Sequence, residues 1–125
     1  MQFDSTVLID ILRGRETASK YISEIKQKIC ISRVVIMEII AGCKNKQETK
    51  NSLRLIRDLN IEIIEVDEDI SVLAGKIFEE FFLRFGLGIT DAFIAATALV
   101  ENTKLVTHNL KHFKFIKDLE LIVPY

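Results

Sequence analysis

Three acidic residues stand where the surrounding sequence is apolar. Asp4 follows the short apolar segment MQF, and Glu38 lies inside VVIMEIIAG, residues 34–42. Asp91 precedes AFIAATAL, an almost unbroken apolar run. An ionised carboxylate among apolar neighbours is costly unless a cation or strong hydrogen-bond donors compensate it. These three acids are therefore the first candidates for a functional site.

Each acid, taken alone, also has an ordinary structural interpretation. Asp4 is placed to cap a helix, and Glu38 is placed to reach solvent or to pair with Arg33. Asp91 is placed to stabilise the first turn of a helix through the helix dipole, by about 0.3–1 kcal/mol. The functional interpretation rests on the three acids together.

Three carboxylates that converge in a crevice repel one another and cannot all ionise cheaply without a cation between them. A ligand set made only of oxygens favours Mg²⁺ or Mn²⁺ over zinc. His108 and His112 have a four-residue spacing that suits zinc, but no third soft ligand is nearby. We therefore expect a Mg²⁺ or Mn²⁺ site.

Length and composition predict one folded domain over residues 1–125, since 49% of the residues are hydrophobic and 28% are charged. The net charge of −1 excludes a global basic field, so contact with nucleic acid requires a local patch. No apolar run reaches the ~18 residues that suggest a membrane span, and we expect no membrane contact. The N-terminus has no basic segment typical of a secretory signal, and Cys30 and Cys43 are isolated. These features indicate a cytoplasmic protein with reduced thiols.

Apolar periodicity predicts strands that alternate with helices. This alternation is typical of an α/β fold with a mostly parallel sheet, in which ligands bind beyond the carboxyl ends of the strands. Ser5 is expected to cap the first helix and Gly14 to end it. The predicted strands are residues 1–4, 29–32, 61–66, 104–107 and 119–124, and the predicted helices are residues 5–14, 16–28, 34–42, 45–59, 68–85 and 90–102, with a helical turn at 108–113.

Four segments occur in an order that is specific to one family. They are FDSTVLI (3–9), VVIMEIIAG (34–42), FGLGITDAFIAATAL (85–99) and LVTHNLKHF (105–113). Together they resemble the PIN domain, and most closely the small VapC-type toxins of toxin–antitoxin pairs. The resemblance covers essentially the whole chain.

This resemblance implies a five-stranded, mostly parallel sheet with helices on both faces. It also implies an acidic cluster that binds divalent metal and hydrolyses RNA phosphodiester bonds. Position by position, the three acids are Asp4, Glu38 and Asp91, and the fourth polar position falls on Thr107 and Asn109. Many relatives have aspartate where this chain has the neutral Asn109. One firmly bound Mg²⁺ or Mn²⁺, with a second arriving with the substrate, therefore suits this chain.

The resemblance also suggests roles for individual side chains. Asp91 is expected to orient or deprotonate the attacking water, while Thr107 and Asn109 hold an acid or a water in place. Ser5 is expected to cap the helix, to contact water at the metal, or to do both. Arg13 and Lys111 are the preferred candidates for binding the RNA backbone.

The toxin interpretation implies an RNA substrate (a tRNA, an rRNA or an mRNA), a cognate antitoxin and a second copy of the chain. The antitoxin is expected to cover the acidic crevice. The aromatic segment EEFFLRF (79–85) suggests the surface for the second copy, because its phenylalanines cannot all face one core. Two alternatives remain: a catalytically weak module that binds RNA or a protein partner, and an RNA-processing PIN nuclease outside toxin–antitoxin systems.

Overall fold

Every strand pairing in the molecule is parallel, and the strands form one sheet in the order β3-β2-β1-β4-β5. The computed structural model describes all 125 residues. The strands are β1 (Gln2–Phe3), β2 (Cys30–Ser32), β3 (Glu62–Ile64), β4 (Leu105–Val106) and β5 (Leu121–Ile122). The helices are α1 (Ser5–Leu12), α2 (Glu16–Glu24), α3 (Arg33–Ala41), α4 (Lys46–Asp58), α5 (Glu68–Phe85), α6 (Ile89–Val100) and α7 (Leu110–Phe113).

The central strand β1 is the point where the strand order changes direction. The chain moves outward from β1 through β2 to β3, and then returns to place β4 on the other side of β1. In open parallel sheets, a crevice forms at such a point, beyond the carboxyl ends of the strands. Asp4 follows β1 and Thr107 follows β4, so both residues lie at this edge.

Both faces of the central strands are covered. Gln2 and Phe3 are adjacent in β1, so their side chains point to opposite faces, and both are 0% exposed. The ring of Phe3 lies 6.2 Å from that of Tyr21 on α2, whereas the Gln2 amide reaches the backbone of Ile94 on α6. The predicted α/β fold with a parallel five-stranded sheet and helices on both faces is confirmed.

Asp4 and Ser5 are both placed in the sequence to cap the first helix, and Asp4 is the N-cap of α1, because its carboxylate accepts a hydrogen bond from the Thr6 amide. The expectation for Ser5 is therefore wrong. Helix α2 ends at Glu24 rather than residue 28, and Ile25 is already extended. The chain must straighten there because Cys30 pairs with the central strand, and this tertiary pairing outweighs the helical periodicity.

The phenylalanines of α5 divide between the core and the surface, as the sequence suggests. Phe81 is buried, and Phe85 stacks on Phe115 with ring centroids 4.2 Å apart. Phe78 stacks on Phe82, which is 47% exposed. Aromatic stacking therefore accounts for much of this segment and leaves an apolar remainder on the surface.

No helix combines the length and the apolar character needed to cross a bilayer. Cys30 and Cys43 are both free thiols, in agreement with the expectation from their spacing.

Candidate active site

Asp4 is held in place by donors from two parts of the chain. One carboxylate oxygen, Oδ1, accepts the Thr6 amide at 3.0 Å and also the Thr6 hydroxyl. The other oxygen, Oδ2, accepts the hydroxyl of Thr107, which is fully buried. Asp4 is only 3% exposed, and these donors satisfy most of its buried carboxylate. Because a carboxylate has about four lone-pair sites, Oδ2 keeps one site for a further ligand.

Thr107 connects the first strand to the loop after β4. Its hydroxyl donates to Asp4 and accepts the Asn109 amide at 2.9 Å, so the direction of its proton is fixed. Asn109 thus takes part through its backbone, and its half-buried side chain makes no hydrogen bond within the chain. The structure therefore places Thr107 directly on an acid and leaves the Asn109 amide group free.

Glu38 lies in the middle of α3, half-buried and without a cation. Arg33 pairs with Glu65 at the surface, so the alternative in which Arg33 compensates Glu38 is wrong. The Oε1 atom of Glu38 is buried and has no hydrogen-bond partner. Burial raises the pKa of Glu38, and the charges of Asp91 and Asp4 raise it further, while the Ser5 hydroxyl acts in the opposite direction.

Asp91 is the third residue of α6, in the first turn that the sequence suggested. The helix begins after Gly88, which gives no side-chain cap. Burial raises the pKa of Asp91, as does the charge of Asp4, while His112 lowers it. The helix start and the site position are therefore compatible roles for one residue.

His112 contacts one of the three acids, and the sequence does not predict this contact. Its Nδ1 lies 3.3 Å from Oδ2 of Asp91, and its side chain is 43% exposed. The signal was the helical turn after Asn109, which places residue 112 on the same side as 109. His108 makes a different contact, since its ring packs edge-on against Tyr125 with centroids 4.5 Å apart. The two histidines therefore do not form a zinc pair.

The three acids interact electrostatically, but they are not a closed metal cage. Burial raises the pKa of Glu38 most, and Asp91 and Asp4 each raise it further, so the three acids lie near one another. No group of three or more His, Cys, Asp or Glu side chains is arranged to hold a metal ion. The donor chemistry still fits a hard divalent cation, because the donors are carboxylate oxygens and Oε1 of Glu38 is a buried atom without a hydrogen-bond partner. A cation would draw in the side chains of Glu38 and Asp91, whereas Asp4 is already fixed.

The two basic residues expected to bind RNA are both exposed and do not contact the acids. Arg13 follows α1 and lines a groove of about 600 Å³ with Cys43 and Lys44. Lys111 lies on α7, next to His112. Lys111 is thus close in sequence to the acidic crevice, and Arg13 lies at the far end of the helix that Asp4 caps.

A family model for the PIN domain matches residues 1–117. The chain belongs to the PIN domain family. Ribonuclease VapC1 of Methanocaldococcus jannaschii is 35% identical over 121 residues, which cover 94% of this chain and 82% of that protein. The same resemblance noted from the four sequence segments is therefore confirmed.

Solved structures of similar fold are toxin–antitoxin complexes. A toxin–antitoxin complex from Klebsiella pneumoniae contains a chain with a TM-score of 0.79 and 29% identity, with 99% of this PIN chain and 97% of that chain covered. VapBC2 from Rickettsia felis, solved bound to a DNA fragment from its promoter, gives a TM-score of 0.80 and 25% identity, with 97% and 96% covered.

The raised pKa of Glu38 predicts that this residue lowers the folding stability of the metal-free protein in a pH-dependent way. A carboxyl whose pKa is raised by folding costs nothing below its ordinary value of 4.5, and stability is lost as pH rises through the raised value. Glu38→Gln removes this loss, so its melting temperature should exceed that of the unsubstituted protein by a margin that grows above pH 4.5. Thermal melts between pH 4 and 8 with EDTA measure it, and added Mg²⁺ should shrink the margin.

Glu65→Gln is the control of opposite sign. The hydrogen bond from Arg33 lowers the pKa of Glu65, so this carboxylate contributes its stability at higher pH and loses it as pH falls. The melting temperature of Glu65→Gln should therefore not rise above that of the unsubstituted protein as pH increases. A margin for Glu38→Gln that does not change with pH would contradict the electrostatic account.

Proposed function

We propose that this PIN-domain chain is a metal-dependent endoribonuclease that acts as the toxin of a toxin–antitoxin pair in the cytoplasm. The observation that carries the proposal is the cluster of Asp4, Glu38 and Asp91 at the carboxyl end of β1, where burial and the neighbouring acids raise the pKa of Glu38, and burial and Asp4 raise the pKa of Asp91. A stable fold gains nothing from this repulsion, which is typical of a site built for a cation and a charged substrate. The ribonuclease name of the Methanocaldococcus jannaschii relative supports the same reaction.

Asp4, Glu38 and Asp91 would hold Mg²⁺ or Mn²⁺, and Asp4 would offer the one free site of Oδ2. When bound, such a cation offsets negative charge at the phosphate and makes water a better nucleophile near neutral pH. One firmly held ion suits this donor set, because the fourth polar position is the neutral Asn109.

The chain's own side chains then have distinct tasks. Thr6 and Thr107 fix the Asp4 carboxylate, so that its free oxygen site always points in one direction. Asp91 orients the attacking water and accepts its proton, and His112 holds the Asp91 carboxylate from the solvent side. The Asn109 amide is free to position a water molecule or a phosphate oxygen.

Asp4→Asn and Asp91→Asn should each reduce RNA cleavage by about 100-fold or more, because each removes an ionised oxygen from the reacting centre. The measurement is cleavage of a labelled RNA pool against Mg²⁺ or Mn²⁺ concentration, with circular dichroism as the check on folding. Asp58→Asn, at the exposed end of α4, is the matched control and should cleave normally.

The same titration distinguishes the alternative of a catalytically weak binding module. RNA binding by the unsubstituted protein without cleavage at any Mg²⁺ or Mn²⁺ concentration would favour that alternative. Cleavage that survives Asp4→Asn undiminished would show that the site is assigned to the wrong residues.

Arg13 and Lys111 are proposed to bind the RNA backbone. Replacing either with glutamine should lower the slope of log affinity against log salt by about 0.7–1, because one counterion fewer is released. Binding is measured on an Asp4→Asn background, so that the RNA stays intact. Lys117→Gln is the control, because Lys117 is likewise exposed but is not proposed to contact RNA. Equal slopes for all variants would remove both residues from the interface.

The proposed protein partner is a cognate antitoxin. Two of the solved structures with this fold are complexes of a toxin with its antitoxin. An antitoxin segment carrying a basic residue would compensate the same carboxylates that the cation compensates. Growth arrest on expression, relieved by coexpression of the product of an adjacent gene, separates this role from that of an RNA-processing nuclease outside toxin–antitoxin systems.

A second copy of the chain is proposed to cover the outward face of α5. Val72 and Leu83 on this face are 52% and 91% exposed, and between them a side chain on Gly75 would meet nothing within 4 Å. Gly75 lowers the stability of an exposed helix, although no contact within the chain requires a glycine there. A glycine at this position does permit the close approach of another helix. In an antiparallel crossing, Lys76 of one copy meets Glu79 of the other, and neither residue has an ion pair within the chain.

Charge reversal tests this dimer. Lys76→Glu and Glu79→Lys should each convert dimers to monomers, because like charges then face each other across the two-fold axis. The double variant restores opposite charges and should recover the dimer. Light scattering gives the molar mass in each case. A mass of one chain for the unsubstituted protein, or a double variant that behaves like the single ones, would overturn the arrangement.

A further inference from the structure

Gln2 is a fully buried polar residue at the centre of the sheet. It lies in β1, between β2 and β4, and is 0% exposed. Its side-chain amide nitrogen donates to the backbone oxygen of Ile94 in α6 at 2.9 Å. Because a backbone oxygen can only accept, this contact fixes which end of the amide faces the helix.

Both ends of this hydrogen bond lie close to a carboxylate of the site. Gln2 is two residues before Asp4 in an extended chain, so the two side chains leave the strand on the same face. Ile94 is three residues after Asp91 on one helix, a spacing that places them on neighbouring turns of the same side. The bond therefore joins the strand that carries Asp4 to the helix that carries Asp91.

The choice of glutamine is unfavourable for packing alone. Its Oε1 atom is buried and has no hydrogen-bond partner, which is a cost that an apolar side chain of the same length avoids. The other buried residues of α6 include four alanines, which pack closely but interlock little. The hydrogen bond from Gln2 to the Ile94 backbone oxygen fixes the position of α6 against β1, which such small side chains do not define.

We propose that Gln2 is a positioning residue that sets the separation of Asp4 and Asp91. It acts by tying β1 to α6, and it has no contact with substrate or metal. The inference rests on the proposed function, because it assigns the two carboxylates to one cation.

Gln2→Met tests this tether, the hydrogen bond from Gln2 to Ile94 that joins β1 to α6. Methionine has a similar length but cannot donate a hydrogen bond. We expect the Mn²⁺ dissociation constant, measured by calorimetry, to rise at least about tenfold, while the melting temperature of the metal-free protein stays equal or increases. RNA cleavage should need a correspondingly higher Mn²⁺ concentration for half-maximal rate. Gln2→Leu repeats the measurement if the methionine variant does not fold.

Thr97→Val is the matched control. Thr97 is also fully buried on α6, but its hydroxyl donates to Phe93 of the same helix at 2.7 Å and ties nothing together. Its loss should leave Mn²⁺ binding unchanged. Unchanged Mn²⁺ binding by folded Gln2→Met or Gln2→Leu, or equal weakening by Thr97→Val, would overturn the tether. Failure of the unsubstituted protein to bind Mn²⁺ or to cleave RNA would instead overturn the proposed function.

Discussion

Repulsion between carboxylates at the carboxyl end of β1 is the constraint on which this structure depends. A parallel sheet brings the ends of its strands to one edge, where Asp4 follows β1. Helices α3 and α6 bring Glu38 and Asp91 near the same edge. The fold answers the repulsion differently at each acid. The Asp4 carboxylate accepts hydrogen bonds from two threonines, whereas burial raises the pKa values of Glu38 and Asp91. Asp4 is held by hydrogen bonds, whereas the side chains of Glu38 and Asp91 can still move. Such a set of acids is suited to a metal site that forms fully only when the cation binds.

The sequence predicted this edge well because its signals are local or periodic. The strand positions, the long apolar helix after Asp91 and the absence of charged neighbours around Glu38 are all visible within a few residues. The convergence of the acids follows from the parallel topology, which the alternation of strands and helices already indicates. The resemblance to the PIN domain added the assignment of Asp4, Glu38 and Asp91 to one acidic cluster.

Contacts between residues distant in sequence were not accessible in this way. Nothing near Arg33 shows that its partner is Glu65, which approaches only because β3 pairs beside β2. The contact of His112 with Asp91 likewise requires the packing of α7 against α6. The N-cap was ambiguous for a local reason: DST offers two adjacent residues able to cap, and the cap is Asp4, whose second oxygen also accepts a hydrogen bond from Thr107.

The acidic crevice and its RNA substrate are both negatively charged and therefore repel each other. RNA is a polyanion, and a chain with a net charge of −1 has no general field that draws it toward three carboxylates. Attraction at a few ångströms must therefore come from a local positive charge, and the exposed Lys111 on α7 supplies only part of it. A divalent cation bound as proposed would reverse the sign of the charge in the crevice, for the carboxylates and for the incoming phosphate at once. Metal binding and RNA binding should therefore be coupled at this site, each strengthening the other, even before any bond is broken.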